Sequence, residues 1–219
     1  MNVNKRIDHT LLKADAKKEN IVQLCEEAKK YGFASVCVNS GWVKQCVESL
    51  KDSDISVCTV VGFPLGAMRS KAKAFEAKDA VENGADEIDM VINIGALKDG
   101  NLDLVKQDID MVVQAVEGRI VKVILETCLL SKDEIVSGCE ICMSAHVDYV
   151  KTSTGFSHGG ASVDDVKLMK ETVGDRCKIK ASGGIKTYQE MMEMIEAGAD
   201  RIGTSKGVQI VCEKSMHRD

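Results

Sequence analysis

The chain predicts an α/β fold of the (β/α)8 TIM-barrel type, as a single domain over residues 1–219. Three observations carry that expectation. Eight short apolar runs alternate with helix-like stretches, the arithmetic of eight βα units. Several runs open on one phrase: Gly32-Phe33-Ala34-Ser35-Val36-Cys37, Gly84-Ala85-Asp86-Glu87-Ile88-Asp89 and Gly198-Ala199-Asp200-Arg201-Ile202-Gly203 share a pattern. His146-Val147-Asp148-Tyr149-Val150-Lys151 fits the same register. In each, a helix ends, often at a glycine that supplies a left-handed cap, and a strand begins two or three residues later. Length and composition agree: 219 residues, 44% hydrophobic and 29% charged, suit one barrel better than two small domains.

The first strand is Ile7–Leu11. A helix follows from about Lys17, with Ile21, Leu24, Cys25 and Ala28 on one face. Ala34–Val38, Ser56–Val61, Glu87–Ile92 and Val121–Glu126 are the next four strands. Ser131-x-x-Glu134 then opens a helix by a capping box, ahead of Ile135, Val136 and Cys139. Strand Asp148–Thr152 is followed by Ser162-x-x-Asp165 and the apolar positions Val166, Met169 and Val173. Strand Lys178–Ala181 is followed by Thr187-x-x-Glu190 with Met191, Met194 and Ile195, and Arg201–Thr204 is the eighth strand. A doubly wound open sheet is the rival architecture. Against it, neither G-x-G-x-x-G nor a P-loop follows the first strand.

A net charge of -5 argues against nucleic acid or an acidic membrane as partner. The polar start, Met1 to Arg6, lacks a signal-peptide core, and no apolar run is long enough to span a bilayer, so a cytoplasmic protein is expected. Nine cysteines is an odd number for a disulfide framework. Cys25, Cys37, Cys58, Cys128 and Cys177 sit in apolar runs, where cysteine packs as a small hydrophobe in a reducing compartment. Cys139-x-x-Cys142 lies in an amphipathic helical stretch. No second cysteine pair or histidine pair stands at ligand spacing, so neither metal nor cofactor is expected.

The register makes Cys37, Asp89, Lys151 and Gly203 equivalent positions near the C-terminal ends of their strands, which in a barrel is the catalytic mouth. Charged residues gather near strand ends: Asp8, Asp89, Lys122, Glu126, Lys151 and Lys180. Two lysines head nearly the same sentence, Lys151-Thr152-Ser153-Thr154-Gly155 and Lys180-Ala181-Ser182-Gly183-Gly184. A lysine with its ordinary pKa near 10.4 is only about 0.04% neutral at pH 7, and lowering it by about three units makes half the population nucleophilic. A neighbouring ammonium and a partly apolar mouth can do that. One lysine would then form an imine and the other perturb it, with Asp89 relaying protons; the residues alone leave the two roles interchangeable. Gly183-Gly184 and Gly203-Thr204-Ser205-Lys206-Gly207 follow the last two strands, where barrels often bind phosphate on backbone N–H groups and helix N-termini. Gly62-Phe63-Pro64-Leu65-Gly66 reads as a shaped loop, His9 as a satisfied buried histidine, and the methionines as helix packing.

The matching stretches run in order from Ile7 to about Gly207: Ile7-Asp8-His9-Thr10-Leu11-Leu12, Val36-Cys37-Val38-Asn39, Val61 through Gly66, Gly84 through Val91, Lys122 through Thr127, the two lysine sentences and Gly203-Thr204-Ser205. Together they make the chain resemble the deoxyribose-phosphate aldolase family. The resemblance implies a TIM barrel that cleaves 2-deoxy-D-ribose 5-phosphate reversibly into D-glyceraldehyde 3-phosphate and acetaldehyde, in the cytoplasm and as a homo-oligomer, a dimer or larger. It breaks the symmetry between the lysines: Lys151 forms the imine, Lys180 perturbs it, and Asp89 donates and accepts protons. Gly183, Gly184, Gly203, Thr204 and Ser205 would hold phosphate, and Thr10, Cys37, Lys122 and Thr152 complete the expected substrate set. One departure is visible. Many members end in a tail whose last tyrosine reaches the site, whereas here no tyrosine follows Tyr188.

Overall fold

A computed structural model describes residues 2–216. The terminal His217-Arg218-Asp219, the end of the tail expected to lack a tyrosine, lie outside the described residues. Eight parallel strands close in sequence order, β1 pairing with both β2 and β8. They are β1 Ile7–Leu11, β2 Ser35–Val38, β3 Ser56–Val61, β4 Glu87–Val91, β5 Ile120–Ile124, β6 Tyr149–Lys151, β7 Lys178–Ser182 and β8 Arg201–Thr204. The expected strands are all present, with ends that move by no more than two residues, as strand ends do. The helices are α1 Lys18–Tyr31, α2 Val43–Leu50, α3 Ser70–Glu82, α4 Ile94–Lys98, α5 Leu102–Ala115, α6 Lys132–Ser144, α7 Val163–Val173, α8 Tyr188–Glu196 and α9 Gly207–Met216.

Helix entries follow local chemistry. Ser131 and Thr187 accept from the backbone of Glu134 and Glu190, which reach back in turn to cap α6 and α8. Ser162 accepts from Asp165 N to start α7. Gly32 ends α1 at φ +65. The C-x-x-C cysteines are buried within α6, and burial pushes the Cys139 thiol up to about 12.

Alternation along each strand separates two interiors. Outward positions such as Ile7, Val36, Ile88, Val123, Val150 and Ile179 join the helices in one apolar shell. Inward positions form three layers of four, each layer drawn from alternate strands. Ser35, Glu87, Tyr149 and Arg201 make the lowest layer; Asp8, Cys58, Lys122 and Lys180 the middle; Cys37, Asp89, Lys151 and Gly203 the top. Barrels usually fill these layers with branched aliphatics. Here seven of the twelve positions carry ionisable acid or base groups of the Asp, Glu, Lys or Arg type, and all but Arg201 are buried. Gly203 leaves its place in the top layer empty, and a Cβ there would stand 3.0 Å from Lys180 Cε. That space is taken by the lysine.

A second buried pair braces the outer shell. Lys73 on α3 meets Asp108 on α5 at 2.5 Å and donates to the Val91 carbonyl at the end of β4 at 2.8 Å. The backbone of Gly62 packs directly on the Lys73 stem.

Candidate active site

Asp89 is the hub. Its Oδ2 accepts from both Lys151 and Lys180, each at 2.7 Å, and its Oδ1 accepts from Lys122 at 2.8 Å and from the Cys58 thiol at 3.1 Å. Burial alone would raise the Asp89 carboxyl, but the Lys122, Lys151 and Lys180 ammonium groups override it and hold the group well below the usual carboxylate range. Burial would likewise discharge Lys180, yet Asp8 at 2.5 Å and Asp89 push its pKa above the ordinary lysine value. Lys122 is raised for the same reason, between Asp89 and Glu87, the latter at 2.6 Å. Burial opposes ionisation of Asp8, and Lys180 and Arg201 nevertheless keep it below its usual range.

A cavity of about 250 Å³ opens above this cluster at the C-terminal ends of β1, β6, β7 and β8. Lys151 reaches its wall; Lys180, Asp89, Lys122, Cys37 and Thr152 lie beneath it, buried. Of the other residues expected to meet substrate, Gly183, Gly184, Gly203, Thr204, Ser205 and Thr10 all line the cavity. Thr152 has a structural occupation: its hydroxyl donates to Ser182 O and accepts from Ser182 N, both at 3.1 Å. Asp8, Lys122 and Lys180, expected near the rim, sit one layer down.

The mouth is cationic. Lys13, Lys186 and Lys206 join Lys151 among the described lining residues, and no carboxylate lines the cavity. Sequence reasoning named Lys206 only as part of the turn from Gly203 to Gly207 and missed Lys13 and Lys186, which lie in loops outside any motif. Gly183 and Gly184 adopt φ +83 and +85, so their backbone faces the cavity without side chains in the way. Thr154, another lining residue, is held by Glu126, which accepts from its backbone N at 3.1 Å and from its hydroxyl. Glu126 takes a left-handed backbone, φ 60, to make that turn. Glu87 and Arg201 were also missed; the signal was the two-residue step down the strand from Asp89 and Gly203. His9 faces outward from the barrel and is buried as expected, but only half satisfied: Nε2 bonds Glu27 at 2.7 Å, while Nδ1 has no hydrogen-bond partner among the described residues.

Cys37, Cys58 and Asp89 bring potential ligand atoms within 4.8 Å of one another. The donor set does not fit a metal ion, because Asp89 is already bonded by three ammonium groups that would repel a cation.

A closed barrel whose buried lysine–carboxylate cluster opens on a cation-lined cavity is the plan of an enzyme acting on small anionic molecules. The chain belongs to the DeoC/LacD family of aldolases, whose sequence profile matches residues 3–211. It is 61% identical over 217 residues to the deoxyribose-phosphate aldolase of Geobacillus sp. (strain WCH70), covering 99% of this chain and 97% of that one. It is 60% identical over 211 residues to the deoxyribose-phosphate aldolase of Streptococcus gordonii, covering 96% of each. The tetrameric deoxyribose phosphate aldolase of Aeropyrum pernix superposes with a TM-score of 0.91 at 30% identity, over 99% of this chain and 91% of that one. No helix among the described residues is long and apolar enough to cross a membrane.

Proposed function

We propose that this aldolase cleaves 2-deoxy-D-ribose 5-phosphate reversibly to D-glyceraldehyde 3-phosphate and acetaldehyde through an imine on Lys151. The observation that carries the reading is that Lys151 alone of the interior lysines reaches the cavity, whose wall offers, among the described residues, three more lysines for a phosphate and no opposing acid. The neutral amine of Lys151 adds to the C1 aldehyde of the open-chain sugar, and loss of water with uptake of one proton, returned at the final hydrolysis, gives the iminium. Asp89, held as a carboxylate, is the base that takes the C3 hydroxyl proton, directly or through water, with Lys180 as the charged partner beside it. The C2–C3 bond then breaks, as the carbon count requires: acetaldehyde keeps C1 and C2. The iminium accepts the electron pair and becomes an enamine. Glyceraldehyde 3-phosphate leaves, the enamine is protonated at C2, and hydrolysis frees acetaldehyde and the amine. Gly183, Gly184 and the turn from Gly203 through Ser205 into α9 would seat the phosphate.

Borohydride reduction in the presence of deoxyribose 5-phosphate or acetaldehyde, followed by peptide mapping, tests this. A reduced adduct on Lys151 is expected, and an adduct elsewhere or none would sink the mechanism. Turnover should persist in EDTA.

We further propose that the enzyme is cytoplasmic and assembles as a homo-oligomer. All nine cysteines are free, which suits a reducing compartment. Leu65 and Phe75 are each nearly three-quarters exposed around α3, apolar area that a second copy would cover. Light scattering on the full chain should give at least twice the monomer mass.

A further inference from the structure

We infer that Arg201 and Glu87 are positioning residues of the aldolase reaction, acting through a closed ring of ion pairs that fixes the charge around Lys151. The inference rests on the reading of Lys151 as the imine-forming amine. The ring runs from Asp89 to Lys180 at 2.7 Å, Lys180 to Asp8 at 2.5 Å, Asp8 to Arg201, Arg201 to Glu87 at 3.1 Å, Glu87 to Lys122 at 2.6 Å, and Lys122 back to Asp89 at 2.8 Å. Signs alternate throughout, so three carboxylates balance three cations. Lys151 hangs from Asp89 as a seventh group with no carboxylate of its own.

In an interior closed to water, the surplus cation is the one disfavoured. The ring therefore distinguishes the two lysines that the sequence motifs leave alike. Lys180 is clasped by Asp8 and Asp89, and its discharge would open the ring; discharge of Lys151 leaves the interior neutral. Facing Lys151 are Asp89 from β4, Lys180 from β7 and Cys37 from β2. Asp8, Cys58 and Lys122 lie in the layer beneath, then Glu87, Tyr149 and Arg201. Arg201 and Glu87 are thus remote from substrate, yet each contributes one sign to the balance. Neutralising Arg201 leaves the interior one charge more negative, which favours bound protons within it; neutralising Glu87 does the reverse.

The test is the pH profile of kcat/KM for the full chain carrying R201Q, E87Q or both. The acid limb should move up by about one pH unit in R201Q, a roughly tenfold loss at a fixed pH below the limb. It should move down in E87Q and return towards its original place in the double variant. A purely structural role would lower the plateau without moving the limb in opposite directions. Equal or absent shifts would overturn the inference. Should the single variants not fold, lysine Cε NMR on the unaltered protein decides: Lys122 and Lys180 should stay protonated through the limb, and titration of Lys180 with it would overturn the ring's role. Borohydride trapping separates the two readings. No adduct on Lys151 defeats the mechanism itself, whereas an adduct with unmoved limbs defeats the ring alone.

Discussion

Lys151 and Lys180 donate to one and the same atom, each Nζ lying 2.7 Å from Asp89 Oδ2. Their strands are neighbours and the two lysines pair in register, β6 against β7, so their side chains converge on Asp89, the upper of the two carboxylates that β4 sends inward. Two ammonium groups this close would repel strongly without it. Asp89, the proposed proton carrier, is consequently also the group that lets the lysines share a site.

Asp89→Asn should lower kcat/KM by about 10²- to 10⁴-fold, the usual contribution of a positioned general base. The amide cannot take the substrate proton, and three ammonium groups lose their common counter-charge. Steady-state kinetics at pH 7 checks this. A loss under tenfold would remove Asp89 from proton transfer.

The barrel and its top layer were legible in the sequence, because period-two strands and glycine-capped helices repeat with a fixed offset. Cys37, Asp89, Lys151 and Gly203 are indeed the third residues of β2, β4, β6 and β8. The layers below were only partly read: Asp8, Lys122 and Lys180 were expected at the rim, and Glu87 and Arg201 were not singled out, although they stand only two residues before Asp89 and Gly203. Their partners come from other strands: Arg201 joins Asp8 across a separation of 193 residues. Pairing across a closed sheet depends on shear, which no local motif encodes. The cationic rim was invisible for a related reason: Lys13 and Lys186 stand in no motif, and Lys206 was read only as part of a turn. A lone exposed lysine says nothing until the barrel brings three to one rim.

Stability should form a broad plateau with pH. Asp8 and Asp89 have folded pKa values below their unfolded value, so their contribution is full above about pH 4 and is lost as pH falls through the folded values. Lys180 is raised, so its contribution is full below its unfolded value near 10.4 and is lost as pH rises through the folded one. Urea midpoints measured across pH should therefore fall only outside about pH 4–10 on account of this cluster. A drop centred on pH 6 would mean that these groups do not dominate.

Gly183→Ala should act on the phosphate end alone. The residue sits at φ +83, and an added Cβ would lie 3.0 Å from Gly160 Cα and 3.3 Å from Ser153 Cβ. A non-glycine side chain in that region costs about 1–3 kcal/mol, which the loop would relieve by shifting its N–H groups. KM for deoxyribose 5-phosphate should rise about tenfold, corresponding to about 1.4 kcal/mol of binding. Turnover of unphosphorylated 2-deoxyribose should change much less. Equal losses on both substrates would assign the loop to the carbonyl end instead.

Lys73→Met should destabilise the fold without entering the chemistry. The change strands Asp108, fully buried, with neither oxygen paired: Oδ2 loses Lys73, and Oδ1 already has no partner among the described residues. Breaking a buried pair from one side costs about 3–5 kcal/mol. For a chain of this size that is a fall in Tm of about 6–20 °C. The Val91 carbonyl loses its donor as well, two residues beyond Asp89, so β4 should fray at its catalytic end. The double variant K73M/D108L removes the stranded charge and should recover most of the Tm, because apolar pairs commonly replace buried ion pairs at little cost. Calorimetry on both variants decides. If the double variant melts no higher than K73M, the pair's value lies in the Val91 contact and the packing under Gly62 rather than in its charges.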